Sequence, residues 1–161
     1  MQENRALTPI SFWQRYLDSL PAAHPHRDAQ PDAFAFGDTA ALADELASLV
    51  LAGMKRATAS LAVEFTSVGD PLPVAGSLSM ILRGDKAPVA IIERTEVREV
   101  PFREVDQAFA SREGEGDGTL AWWQEAHRAY FARVCRSHGK VFDENTPVIC
   151  QSFRVLWSRE P

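Results

Sequence analysis

The chain has 161 residues, 45% hydrophobic and 24% charged, with a net charge of −5. That length suits one domain with a core of its own, and the acidic balance argues against tight non-specific binding to long duplexes, which needs many Lys and Arg contacts to phosphates. No apolar run reaches the roughly 20 residues of a membrane span. The N-terminus MQENRALTPI lacks the basic-then-apolar pattern of a secretion signal, and Cys135 and Cys150 fit neither a metal motif nor a disulfide framework. The expectation is a cytoplasmic protein with free thiols, no membrane partner, no metal and no cofactor.

In chain order, TPISFWQRYLDSL (8–20) places Phe12, Tyr16 and Ser19 or Leu20 on one helical stripe, with Trp13 and Leu17 beside it. PAAHPHRDAQPDAF (21–34) carries three prolines and reads as a loop. An N-terminal helix-and-loop extension over 1–33 and a main domain over 34–161 follow. FGDTAALADELASLVLAG (36–53) is the clearest helix. Asp38 can cap it, Leu42, Leu46, Leu49 and Val50 form its stripe, and Gly53 stands where a left-handed C′ residue belongs.

ATASLAVEF (57–65) has strand character, and DPLPVAG (70–76) is a turn. SLSMILRG (77–84) and PVAIIERTEVREV (88–100) are strands joined by a tight GDKA. FREVDQAFA (102–110) is a short helix. TLAWWQEAHRAYFARVCRSHG (119–139) is a long one, with Leu120, Trp123, His127, Tyr130, Phe131 and Val134 on one stripe and Gly139 as its stop. TPVICQSFRVLW (146–157) is the last strand. This order predicts an α+β fold with a mainly antiparallel sheet that can curl into a small barrel.

Two stretches carry candidate chemistry. GMKRAT (53–58) sets Lys55 and Thr58 just past a helix stop. EGEGDGT (113–119) alternates acids and glycines just before the long helix. The second is either an acidic capping loop or a loop bent so that Glu113 or Glu115 points into a cleft. A lysine, a threonine and a glutamate can make a hydrolytic set, in which the lysine activates the hydroxyl for attack on a carbonyl and the glutamate shuttles protons. Alternatively, Lys55 and Arg56 neutralise charge on a phosphate while a glutamate serves as base.

The histidines read mainly as structural. His127 lies on the apolar face of the long helix, His138 suits a helix end, and His24 and His26 have only Asp28 near them as a metal partner. Trp122 and Trp123 cannot share a helix face, so one fills the core and the other lies nearer the surface or a cleft, where an aromatic can stack a base. ERTEVREV is a half-exposed strand whose Glu93 and Arg94 matter if a cleft is near.

Taken together, FGD (36–38), ADELASLVLAGMKRATAS (43–60), PLPVAGSLSMIL (71–82), PVAIIERTEV (88–97), PFREVDQAFASREGEGD (101–117) and VICQSFRV (148–155) resemble the ASCH family from Phe34 to Trp157. The strongest parts are the G-x-K-x-x-T segment (Gly53, Lys55, Thr58) and the glycine-acid loop. The resemblance implies a small PUA-like β-barrel with helices around a cleft, and a partner that is single-stranded RNA or a cytidine-type nucleoside.

Within that family the activities implied are ribonuclease, placed slightly first, and hydrolysis of cytidine acylated on its exocyclic amine. A non-catalytic RNA or modified-base binding module is the third reading. The carried-over catalytic residues are Lys55 and Thr58 with Glu115 or Glu113, Glu115 being slightly preferred. Gly53, Arg56, Ser60, Glu93 and Trp123 are placed around the ligand. The chain departs from the family pattern at Gly118, where an arginine is frequent, at Trp123-Gln124 in place of a W-R pair, and at Cys150-Gln151 in place of Cys-Glu. Each change removes a charge that would grip phosphate or metal.

Overall fold

The computed structural model describes residues 7–159; residues 1–6 of the expected extension lie outside them. Five strands, β1 (Asp32–Ala35), β2 (Ala57–Leu61), β3 (Leu78–Leu82), β4 (Pro88–Pro101) and β5 (Pro147–Ser158), hydrogen-bond in the order β1-β3-β4-β5-β2. β3 pairs antiparallel with β4 and β2 antiparallel with β5, while β1 runs parallel to β3. The expected α+β class with a mainly antiparallel sheet is what the chain adopts. Among the described residues no helix is long and apolar enough to cross a membrane.

The chain divides into two compact units, with β4 and β5 running through both. The first holds the described residues through Gly53, Ser77–Glu93 and the residues from Arg154 on. Here α1 (Pro9–Asp18) is started by Thr8, whose side chain accepts from Ser11 N in a capping box, and Pro9 fits the first helical position. Its buried Phe12, Tyr16 and Leu17 pack with Met80 and Ile91.

The stretch 21–34 is more ordered than its prolines suggest. Pro25–Asp28 forms a 3-10 turn, and β1 gains its ladder by pairing with β3, a long-range contact that no local pattern reveals. In α2 (Ala40–Leu51) the cap is Thr39 rather than Asp38, accepting from Leu42 N. Its buried face is Ala43, Leu46, Ala47 and Val50, leaving Leu42 and Leu49 half-buried. Gly53 follows the helix at φ +82, as expected.

The second unit holds Met54–Gly76 and Arg94–Phe153. The expected strand 57–65 stops at Leu61, because the backbone turns helical at Ala62, whose carbonyl accepts from Phe65 N and Thr66 N; α3 (Val63–Thr66) follows as one turn, with Glu64 Oε2 accepting from the outward-facing Leu61 N at 2.7 Å. α4 (Gln107–Glu113) and α5 (Leu120–Ser137) are capped by Asp106 and Thr119. Their apolar faces close a core of Phe102, Phe109, Trp123, Phe131 and Cys135 over Ala57 and Leu61 of β2 and Val148 and Cys150 of β5.

Candidate functional site

The site grows from two chain segments that end helices. After Gly53 the chain enters β2, and after α4 it turns at Gly114, in the left-handed region at φ +66. The two meet tightly. A Cβ on Gly114 would lie 2.1 Å from Met54 O and 2.6 Å from Met54 C, and Arg56 N donates to Arg112 O at 2.7 Å. Glycine is required here by both conformation and space. Gly118, also left-handed at φ +76, has nothing within 4 Å of its missing Cβ. Gly114→Ala is therefore expected to cost well beyond the roughly 1–2 kcal/mol left-handed penalty that Gly118→Ala incurs. Urea unfolding of both variants checks this, and equal losses would refute it.

This meeting buries Lys55 at 1% exposure. Its Nζ donates to Ala57 O at 2.8 Å, Glu115 Oε1 at 3.0 Å and Glu113 Oε1 at 3.2 Å. Three N–H donors mean an ammonium. β2 is an edge strand, and Phe153 N bonds Arg56 O. The alternation of the ladder therefore turns the next carbonyl, that of Ala57, away from β5 and toward the amine.

Glu113, 2% exposed, also takes hydrogen bonds on Oε2 from Trp123 Nε1 and from His127, whose Nε2 lies 3.2 Å away. The other histidine nitrogen, Nδ1, lies 2.9 Å from Trp123 O and so carries a proton. With acceptors at both nitrogens, the ring is built to be an imidazolium. Burial opposes its charge, but the Glu113 hydrogen bond and charge outweigh burial and raise its pKa. Burial likewise opposes charge on Glu113, but Lys55 and then His127 prevail and hold its pKa at about 2.

The cluster thus balances two cations, Lys55 and His127, against two carboxylates. Glu113, Glu115 and His127 each offer one atom, all within 4.8 Å, as a metal site would. The Lys55 ammonium already bonds both carboxylates and supplies the positive charge that a metal would bring.

Thr58 is half-buried on β2, opposite Gln151 of β5. Lys55 Nζ bonds the carbonyl of the peptide that joins Ala57 to Thr58. Strand alternation places Thr58 and Ser60 on the face away from the core residues Ala57 and Leu61. The Thr58 hydroxyl hydrogen-bonds none of the described residues. Across the ladder from Thr58, buried Gln151 accepts from buried Arg94 Nε at 2.7 Å.

A model of the ASCH domain matches residues 32–157. The chain belongs to the ASCH family. It is similar to the ASCH domain from Lactobacillus crispatus JV V101, at 36% identity and a TM-score of 0.83, covering 89% of this chain and 91% of that one. It is also similar to a protein from Enterococcus faecalis V583, at 34% identity and a TM-score of 0.78, covering 90% and 85%. The comparison with curated proteins yields no match. The family is one of PUA-like modules generally associated with RNA.

Of the residues that the ASCH resemblance nominated, Lys55, Glu113 and Glu115 converge, with Thr58 one peptide from the amine. Arg56 turns its guanidinium back on Lys55 O at 2.8 Å, and Gly53 acts through its turn. Glu93 belongs to the other unit, where Arg154 donates to it at 3.1 Å and His26 lies 3.9 Å away.

Trp123, placed around the ligand by the resemblance, lies in the core. It is 1% exposed and stacked on His127 at 4.1 Å, and Trp122, 37% exposed, is the more accessible member of the pair. The tie from Glu113 to Trp123 and His127 went unread, although their i, i+4 spacing put both on one helix face. Both cysteines are buried, and burial pushes the Cys150 thiol up to about 12, so it is no nucleophile at neutral pH.

Proposed function

We propose that this ASCH domain is an amidohydrolase that removes the acyl group from N4-acylated cytidine, as the free nucleoside or in single-stranded RNA. The observation that carries this reading is the charge-balanced Lys55–Glu115–Glu113–His127 cluster, whose amine bonds the carbonyl of the peptide leading into Thr58, a half-buried residue. A ribonuclease must grip and neutralise a phosphate. Here the Lys55 ammonium is held by two carboxylates, and Arg56 folds back on its own chain. A neutral amide suits such a site better than a polyanion does.

The roles divide by what each group has left to give. Glu113 has both oxygens engaged by Lys55, Trp123 and His127, and acts as a positioning residue. Glu115 is the more accessible carboxylate and serves as the proton carrier. Thr58 Oγ1 attacks the acyl carbon, and its proton passes to Glu115. As Glu115 becomes neutral its hold on Lys55 weakens, and the ammonium can turn an N–H toward the new oxyanion. The C–N bond breaks, the exocyclic nitrogen takes the proton from Glu115, and cytidine leaves. Water, deprotonated by the same carboxylate, then releases the acid from Thr58.

Wild type is expected to release acetate from N4-acetylcytidine. Glu115→Gln should lower kcat by roughly 10²- to 10⁴-fold, and Thr58→Ala by at least as much, with Thr58→Ser retaining part of the rate. Mass spectrometry of the nucleoside, and of a short RNA carrying the same base, checks this. Chain scission without loss of the acetyl mass would replace this reading with the ribonuclease one, and no mass change at all would refute both.

A further inference from the structure

Trp122 occupies the first turn of α5, where its N–H bonds the Thr119 cap at 3.2 Å and Thr119 Oγ1 in turn donates to Asp117 Oδ1 at 2.6 Å. Its indole lies on Gly116. A Cβ at that glycine would fall 2.1 Å from Cε2 and 2.2 Å from Cδ2 of the ring. Gly116 is also left-handed, at φ +57, so the backbone there accepts a flat ring and little else. The residue before it is Glu115, which holds Lys55. The Trp122 backbone is thus held at the helix cap and its ring rests on Gly116 of the loop that carries Glu115, while 37% of the residue remains exposed.

The charge-balanced cluster offers no spare cation to a ligand, so affinity has to come from apolar and π surface. A rigid, half-exposed indole supplies it, because every nucleobase has a π face and stacking tolerates differences between bases. We infer that Trp122 is the stacking platform for the substrate's nucleobase, seated on Gly116 beside Glu115. The inference rests on the nucleoside reading above, and it adds the group that holds the base.

Two variants separate a platform from mere loop packing. Trp122→Phe keeps a flat aromatic face. Trp122→Leu keeps apolar bulk against Gly116 but has no such face. Calorimetric titration with cytidine and N4-acetylcytidine is expected to give a Kd close to wild type for Trp122→Phe and one weaker by roughly 10- to 100-fold for Trp122→Leu. Equal Kd values in wild type and Trp122→Leu, or a wild type that binds neither nucleoside, would overturn the inference. A wild type that binds with this dependence on Trp122 but releases no acetate would leave the platform standing and remove the hydrolytic reading alone.

Discussion

Lys55→Met is expected to destabilise the protein by about 3–5 kcal/mol, lowering Tm by on the order of 10 °C, and to abolish the acetate release proposed above. The side chain volumes are similar, so the loss is electrostatic rather than a cavity. Removing the ammonium leaves the Glu113 carboxylate, 2% exposed, with Trp123 and His127 but without one of the two cations that meet it at 3.2 Å. It also orphans the outward carbonyl of Ala57 and frees Glu115. An unsatisfied buried charge is costlier than the intact pair is stabilising, so Lys55→Met combined with Glu113→Gln should recover much of the stability and none of the activity. Lys55→Arg should not rescue either. A planar fork cannot reproduce three bonds converging on one nitrogen in a site this closed. A Lys55→Met variant as stable as wild type to urea would contradict the whole account of the cluster.

How much of this was legible follows from the range of each signal. The α2 stop at Gly53 and the α5 start at Thr119 depend on groups within a few residues of each other, and local pattern reads them. β1 depends on β3, some 47 residues away, and the proline-rich stretch hid it. The convergence of Lys55 with Glu113 and Glu115 spans 58 and 60 residues. Composition could nominate these groups, and the family resemblance could pair them, but spacing alone could not. Which of the two glutamates is the more enclosed depends on what else each touches, and that is set by the α5 face carrying Trp123 and His127. The adjacent tryptophans show the same limit: the sequence required them to face apart, and only packing against Phe102 and Gly116 decides which one is buried.

The cluster also predicts how stability depends on pH. Glu113 titrates at about 2 in the folded state against an ordinary 4.5. Its contribution is therefore fully present above 4.5 and is lost as pH falls toward 2, an effect of about 3 kcal/mol. His127 is shifted the other way, upward from 6.5. Its contribution is fully present below 6.5 and is lost as pH rises through the folded value. The two limbs share one contact, the 3.2 Å approach of His127 Nε2 to Glu113 Oε2, so they are not independent. Glu113→Gln removes the acid limb directly, and by taking the charge from beside His127 it lowers that pKa and flattens the alkaline limb as well. His127→Gln removes only the alkaline limb outright, since Lys55 still depresses Glu113. Urea midpoints measured from pH 3 to 9 for wild type and both variants test this. The difference between wild type and Glu113→Gln should be largest between pH 4.5 and 6.5 and shrink toward both ends. A Glu113→Gln variant that keeps the full acid loss of wild type would place that titration elsewhere in the chain and leave Glu113 an ordinary carboxylate.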